Sequence, residues 1–335
     1  MTNKQQDICF LTGATGFVGA ALARLLIEEG YALRLLCRQG NDRRNLEGLH
    51  NIEIIEGDLG DPASYRKALK GCRYLFHVAA DYRIWVPDPK CMNKINVDGT
   101  VALMKAAQEA GVEKIVYTSS VATLGIPKGG IGTEDTPVTL NDMIGVYKRS
   151  KYLAEEAVQT MIEEDGLPAI IVNPSTPIGP RDIKPTPTGR VIVEAASNRM
   201  PAYVDTGLNI VHVEDVAKGH ILALQKGRVG QRYILGGQDM DFASLLHTIS
   251  HITGSKPPLC KIPRLPLFPI AYIAELIARF THKEPFVTVD GLKMSRKKMF
   301  FSSAKAKTEL GYAPRPAEEA LRDAIAWFRE QGYLQ

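Results

Sequence analysis

The chain has 335 residues, 45% of them hydrophobic and 23% charged, with a formal net charge of +4. That length buries a large core without disulfide staples, and the composition excludes a disordered or fibrous chain. The small charge and the absence of any block of five like charges exclude nucleic acid as an expected partner, so Arg43-Arg44 and Arg296-Lys297-Lys298 read as solvated surface.

Residues 8–12 are apolar without alternation, the pattern of a strand buried on both faces of a parallel sheet. Helical periodicity over 17–29 follows, then strands at 31–37, 51–56 and 74–78. A long helix is predicted over 92–110, a strand over 114–118, a helix over 147–164 and a strand over 169–173. This alternation predicts an α/β fold, a Rossmann-type doubly wound parallel sheet with right-handed crossovers. Prolines then cluster at Pro174, Pro177, Pro180, Pro185 and Pro187, which predicts a loop rather than a regular element. A strand at 208–213, a helix at 214–225 and a strand at 232–235 come next. Beyond Gly236-Gly237 the pattern is mostly helical, over 242–253, 265–280, 304–310 and 318–330. The expected organisation is a cofactor-binding core of residues 1–180 and 208–235. A smaller, mostly helical C-terminal substrate lobe, 181–207 and 236–335, would cover the carboxyl edge of the sheet.

The five cysteines, Cys9, Cys37, Cys72, Cys91 and Cys260, follow no disulfide framework, and reduced thiols in a cytoplasmic protein are expected. No His/Cys/carboxylate cluster has metal-ligand spacing, so no metal is expected. Residues 1–7 lack the apolar core of a signal peptide, and no stretch reaches the ~20 apolar residues of a membrane span. The nearest, 265–280, is broken by Pro266, Pro269, Glu275 and Arg279. Its apolar residues Leu265, Leu267, Phe268, Ile270, Ala271, Ile273, Ala274, Leu276 and Ile277 read either as the wall of a site for a hydrophobic substrate or as core.

Gly13-Ala14-Thr15-Gly16-Phe17-Val18-Gly19 lies between the first strand and the first helix. In this spacing Gly13 makes the tight turn, Gly16 lets backbone approach a pyrophosphate and Gly19 allows close helix packing, with the positive helix end facing the phosphates. At the end of the second strand, an NAD site places a carboxylate on the ribose 2′-hydroxyl. Here the residues are Leu36-Cys37-Arg38, with Arg43 and Arg44 close behind. The guanidinium of Arg38 suits a 2′-phosphate, so NADP is expected over NAD; the alternative is that Arg38 simply faces solvent. Asp58, before Leu59, is placed to accept from the adenine amino group.

Tyr147 and Lys151 are four residues apart at a helix start, hence on one face. A free phenol has a pKa near ~10, and a neighbouring ammonium lowers it toward a useful acid/base. The hydroxyl cluster Thr118-Ser119-Ser120 ends the preceding strand, at the edge where such sheets bind ligands.

With Thr12–Gly19, Gly57-Asp58-Leu59, His77–Ala80, Asn96–Thr100, Thr118–Ser120, Tyr147–Lys151, Asn173–Pro180 and Ile210–Ala217, the sequence resembles the extended short-chain dehydrogenase/reductase family, the epimerase/dehydratase superfamily. The resemblance implies a catalytic Ser120, with Ser119 the fallback, that hydrogen-bonds the substrate oxygen. Tyr147 then moves the proton and Lys151 holds the nicotinamide ribose. It also implies cofactor contacts from Gly13 to Gly19, from Ala79, Ala80 and Thr118, and from Pro174 and Thr176.

Within the family, dehydratases carry Asp and Glu where this chain has Val121 and Ala122. Nucleotide-sugar epimerases carry an Arg where it has Leu208, followed by Asn209, and an Asn where it has Thr176. The run Ile210–Val213 and the stretch around Tyr152 resemble dihydroflavonol and cinnamoyl-CoA reductases, and the whole is similar to a bacterial hopanoid-associated sugar epimerase subgroup. A reductase acting on a small-molecule substrate is the expectation. An epimerase and a non-catalytic NADP-binding sensor are the alternatives, and a homodimer stays open. His77 is expected to support the cofactor loop and His212 to be a hydrogen-bonded strand residue. Tyr82 and Trp85 either face substrate or pack in the core.

Overall fold

Seven parallel strands form the central sheet of the computed structural model, which describes residues 7–83, 85–86, 88–281 and 285–334. The first half of the chain alternates as its pattern requires. It runs β1 (Ile8–Thr12), α1 (Phe17–Glu28), β2 (Ala32–Cys37), β3 (Ile52–Glu56) and β4 (Tyr74–His77). Then come α2 (Pro89–Asn93), α3 (Gly99–Glu109), β5 (Lys114–Thr118), α4 (Gly145–Asp165) and β6 (Ala169–Pro174). Beyond these lie β7 (Thr176–Ile178), α5 (Pro187–Ala196), β8 (Ala202–Tyr203), β9 (Gly207–His212), α6 (Val213–Lys226) and β10 (Arg232–Leu235). The tail holds β11 (Gln238–Asp241), α7 (Phe242–Thr253), β12 (Cys260–Lys261), α8 (Leu267–Thr281), α9 (Val289–Met294), α10 (Ala304–Leu310) and α11 (Ala317–Glu330).

The strand order is β10-β6-β5-β4-β1-β2-β3, so the chain reverses direction across the sheet between β1 and β4. At that switch point the carboxyl ends of neighbouring strands open a crevice, where sheets of this kind bind ligands. Successive residues of each central strand are buried in two different clusters. Cys9, Leu11, Phe76, Val116 and Val172 meet α1, α6 and α10, whereas Phe10, Leu75, Ile115, Tyr117 and Ile171 meet α3 and α4. Burial on both faces is why these strands are apolar without alternation. Each such side chain contributes about 1.5–3 kcal/mol by leaving water.

Three expectations change. The proline-rich stretch after Pro174 is not simply a loop. Pro177 lies in β7, and Pro187 occupies the first turn of α5, where a missing N–H costs nothing and Thr186 caps the helix. The helix expected over 92–110 is three pieces, because Lys94–Asp98 forms a π-helical turn between α2 and α3. Finally β9, grouped by sequence with the core, pairs not with the central sheet but with β7 and β11 in a three-stranded sheet; only β10 returns to the main sheet, beside β6. Around the small sheet, α5, α7 and α11 build a separate apolar cluster with Ile192, Leu245, Leu246, Leu321 and Phe328 at its centre.

The helix expected over 265–280 forms as α8, and the core reading holds for Leu267, Phe268, Ala271 and Ala274 but not for the bulky residues beyond them. Ala271, Ala274 and Ala278 are its buried residues, whereas Ile270, Tyr272, Ile273, Leu276, Ile277 and Phe280 are exposed. Short alanines let α8 lie close against α9, with which it shares a small cluster around Val289 and Leu292. The bulky side chains are thereby left outside.

Candidate active site

The turn after β1 is built by exclusion of side chains. Gly13 has φ +81°, and a Cβ there would come within 2.7 Å of the Ala79 nitrogen, so the turn packs directly on the loop after β4. At Gly19 a Cβ would lie 2.1 Å from the Gly13 carbonyl oxygen; the crowding comes from the turn itself rather than from the sheet. A Cβ at Gly16 would meet only that same carbonyl, at 3.3 Å, and Gly16 precedes the first residues of α1, Phe17 and Val18. The first turn of α1 holds no acidic residue, so its positive end is uncompensated. This cradle fits a pyrophosphate.

Asn45 fastens the next wall. Its amide donates to the Thr15 carbonyl at 3.1 Å and to the Arg181 carbonyl at 3.3 Å, joining the β2–β3 loop to the turn. Arg43 is turned to Glu56 at 2.5 Å and Arg44 to Asp42 at 2.6 Å, both in exposed ion pairs. Arg38 is exposed at the end of β2. It adds to the charge of Arg83 in holding the Asp81 carboxyl below its ordinary pKa against the opposing effect of burial. Asp58 is exposed and accepts from Gly60 N at 2.8 Å, closing its own turn, while Leu59 is buried behind it.

A chain of buried hydrogen bonds orders the loop that carries Ala79 and Ala80. The Thr100 hydroxyl donates to the Asn96 carbonyl at 2.7 Å, so it must accept from His77 Nε2 at 2.9 Å. His77 Nδ1 then accepts from the Thr12 hydroxyl at 2.8 Å, whose oxygen receives the Val78 and Ala79 amides at 3.2 Å each. His77 is therefore the neutral Nε2–H tautomer. Burial, with Lys151 nearby, lowers its pKa to about 3. Asn96, in the π-helical turn, clamps Asp81 through both backbone groups and also donates to the Ser150 hydroxyl at 2.9 Å. His220 does similar work under β5: its Nδ1–H donates to the Val216 carbonyl at 2.7 Å and Nε2 accepts from Thr118 at 2.8 Å.

Ser120, Tyr147 and Lys151 converge at the carboxyl end of β5. Burial raises the Tyr147 phenol above its ordinary pKa, and the neighbouring Ser120 hydroxyl opposes the shift without cancelling it. Ser119 is turned into the protein and buried. Lys151 is 3% exposed and reaches not to Tyr147 but to the Tyr117 hydroxyl at 3.1 Å and the Thr118 carbonyl at 2.9 Å. Burial lowers its pKa to about 8, opposed by Glu155 one turn along α4. Glu155 accepts from the Asn173 amide at 2.9 Å, and the Ser120 carbonyl accepts from that amide at 3.1 Å; the Thr123 hydroxyl, with its one hydrogen, lies between them, 2.7 Å from the Ser120 carbonyl and 2.9 Å from Glu155. Sequence reasoning missed Glu155, whose signal was its i+4 spacing from Lys151 on one helix face. Asn173 and His220 gave no signal beyond buried positions on a strand and a helix.

Near this end of the sheet lies a cavity of about 80 Å³ with a mixed lining: Leu124, Ile126, Met143 and Met299 on the apolar side, Asp142 and Lys297 on the polar side. Ala122 and Lys148, close neighbours of Ser120 and Tyr147 in the chain, also line it. Lys148 reaches Met299 Sδ at 3.7 Å, and burial, then the charge of Lys297, lowers its pKa to about 8. Pro174 ends β6 and Thr176 begins β7, at the seam between the two sheets. Tyr82 is exposed and Trp85 half-buried in the loop after β4. His212 is a buried strand residue: Nδ1 accepts from Glu214 N at 3.1 Å and Nε2–H donates to Asp323 at 3.0 Å.

Comparison with known proteins agrees with this architecture. The model of the NAD-dependent epimerase/dehydratase family matches residues 9–236. A Synechocystis protein named dihydroflavonol 4-reductase is 42% identical over 98% of this chain and 96% of its own length. Sterol demethylase protein B of Methylococcus capsulatus is 34% identical over 97% of this chain and 99% of its own. The crystal structure of gox2253 is 58% identical, with a TM-score of 0.89 over 98% of this chain and all of that one.

Proposed function

Because the chain belongs to the NAD-dependent epimerase/dehydratase family, we propose that it is an NADP(H)-dependent reductase converting a carbonyl to an alcohol on a small, largely apolar substrate. The feature that supports this reading is the Tyr147 phenol adjoining Ser120 at the carboxyl end of β5, near a cavity whose lining mixes apolar side chains with Asp142, Lys148 and Lys297, and burial keeps the phenol's pKa above its ordinary value. Carbonyl reduction needs a proton donor at the nascent alkoxide, and a protonated phenol is one. Ser120 donates a hydrogen bond to the carbonyl oxygen as charge develops there, and Tyr147 gives up its proton. For Lys151 to stabilise the phenolate that remains and hold the nicotinamide ribose, its ammonium must leave the Tyr117 hydroxyl that it contacts here. When bound, the dihydronicotinamide supplies the hydride.

In this reading residues 1–180 and 208–235 form the cofactor core, with 181–207 and 236–335 as the substrate lobe. Gly13, Thr15, Gly16, Phe17, Val18 and Gly19 hold the pyrophosphate, Arg38 the 2′-phosphate, and Asp58 with Leu59 the adenine. Ala79, Ala80, Thr118, Pro174 and Thr176 line the nicotinamide half. Two features favour reduction over epimerisation of a nucleotide sugar. Asn209 is saturated by Asp239, the Phe301 carbonyl and Gly237 N, leaving nothing to bind a diphosphate. Leu208 beside it is packed into the apolar cluster of the small sheet. Purified protein mixed with NADPH and a panel of apolar ketones and aldehydes should consume NADPH one-for-one with alcohol formed. Tightly retained NAD⁺ with interconversion of nucleotide-sugar epimers, and no net NADPH oxidation, overturns the proposal.

A further inference from the structure

Residues 256–298 hold nine lysines and arginines against three acids, a net +6, so the rest of this +4 chain carries −2. The cationic segment is also the one that carries α8. Along that helix Ile270, Ile273 and Ile277 recur at steps of three and four residues and Tyr272, Leu276 and Phe280 at steps of four beside them, and all are between 45% and 79% exposed. Leu265 before the helix and Phe286 after it are 76% and 85% exposed. Singly scattered apolar residues are ordinary on a surface, but a continuous helical arc of them marks a docking face.

We propose that α8 docks the protein on an anionic lipid surface, lying in the headgroup plane with its outer arc inserted. The charge around it matches. Arg279 lies on α8 itself, three residues beyond Leu276, and Arg296-Lys297-Lys298 follow α9, which packs on α8. Lys261, Lys293 and Lys298 pair with Asp205, Asp290 and Asp241. Among the described residues Arg279, Arg296 and Lys297 enter no ion pair. An apolar face with aromatic residues and a basic border is the signature of an interfacial helix, and each lysine or arginine near an anionic membrane strengthens the attraction. A second copy of the chain fits less well, because a two-fold interface would bring this cationic border against itself. No described helix is long and apolar enough to cross a membrane, so the contact is with one leaflet.

The test is co-sedimentation of the full chain with vesicles of phosphatidylcholine alone, or of equal parts phosphatidylcholine and phosphatidylglycerol. The bound fraction should rise at least about tenfold with phosphatidylglycerol and fall as salt is added. Ile273→Glu/Ile277→Glu should abolish binding to both vesicles, and Arg296→Glu/Lys297→Glu should remove the preference for the anionic one. Unchanged circular-dichroism melting establishes that each variant is folded. Equal binding to the two vesicles, or none, overturns the proposal. So does a dimer by light scattering that the isoleucine variant dissociates while the wild type ignores vesicles, because a second copy then covers α8.

Discussion

At the carboxyl end of the central sheet, Thr12, His77, Thr100 and Asn96 are buried with their hydrogen bonds joined into one chain, whereas on α8 six large apolar side chains face solvent. The first region is rigid for a physical reason. A buried donor or acceptor that loses its partner costs ~1–3 kcal/mol, so each link enforces the next. The α8 face has no such network, and small alanines attach it to the body. In the proposed reading, catalytic positioning and surface recognition use opposite strategies in one chain.

The largest expected break in the first region is Tyr147→Phe. It removes the phenolic oxygen that adjoins Ser120 and leaves the ring in place. Turnover should drop about two to four orders of magnitude while NADPH affinity, read by fluorescence titration, stays within about threefold. Retention of most activity would falsify the assignment of Tyr147 as proton donor. Next in size is Gly19→Val, whose side chain has no room beside the Gly13 carbonyl. Either the turn or α1 must move, and NADPH binding should become undetectable in the same titration.

The buried histidines sharpen the comparison through pH. His77 and His220 have folded-state pKa values of about 3 and about 4, against about 6.5 unfolded. Below pH 6.5 the unfolded chain takes up protons that the folded chain refuses, so stability falls with falling pH. The loss should be on the order of 1 kcal/mol per pH unit per histidine, down to about pH 4. Urea denaturation at pH 7, 6 and 5 measures it, and His220→Gln should lessen the slope by about one proton. A pH-independent midpoint means that these rings are protonated in the folded state.

A smaller effect is expected at Arg38, which is exposed. NADPH should bind at least about tenfold tighter than NADH, and Arg38→Asp should remove or invert that ratio. Equal affinities in the wild type dispose of the 2′-phosphate reading.

How much of this was legible in the sequence follows the same division. Strands buried on both faces leave an unbroken apolar run, so β1, β5 and β10 coincide residue for residue with the expected segments. Gly13, Gly19, Tyr147 and Lys151 were legible because their spacing is dictated by a tight turn and a helix face. What escaped was non-local. Nothing in the neighbours of Glu155, Asn173 or His220 reveals that they meet Thr123 or Thr118 across the sheet. The pairing of Arg43 and Arg44 with carboxylates was equally hidden. The orientation of α8 was hidden too, since apolar residues on most of a helix's circumference do not say which side is packed.

The smallest expected effect lies on that helix and reverses the usual rule for apolar residues. Ile277 is 55% exposed, so Ile277→Gln loses little burial and should change stability by less than about 0.5 kcal/mol. Ala271, the small residue, is fully buried, and Ala271→Leu forces three extra carbons into the contact with α9. Overpacking of that kind costs about 1–3 kcal/mol. Urea midpoints of the two variants measured side by side decide the matter. If Ile277→Gln is the more damaging change, the isoleucine is buried in the protein in solution. A second copy or a rotation of α8 must then cover it, and the outer arc is not free to meet a lipid surface.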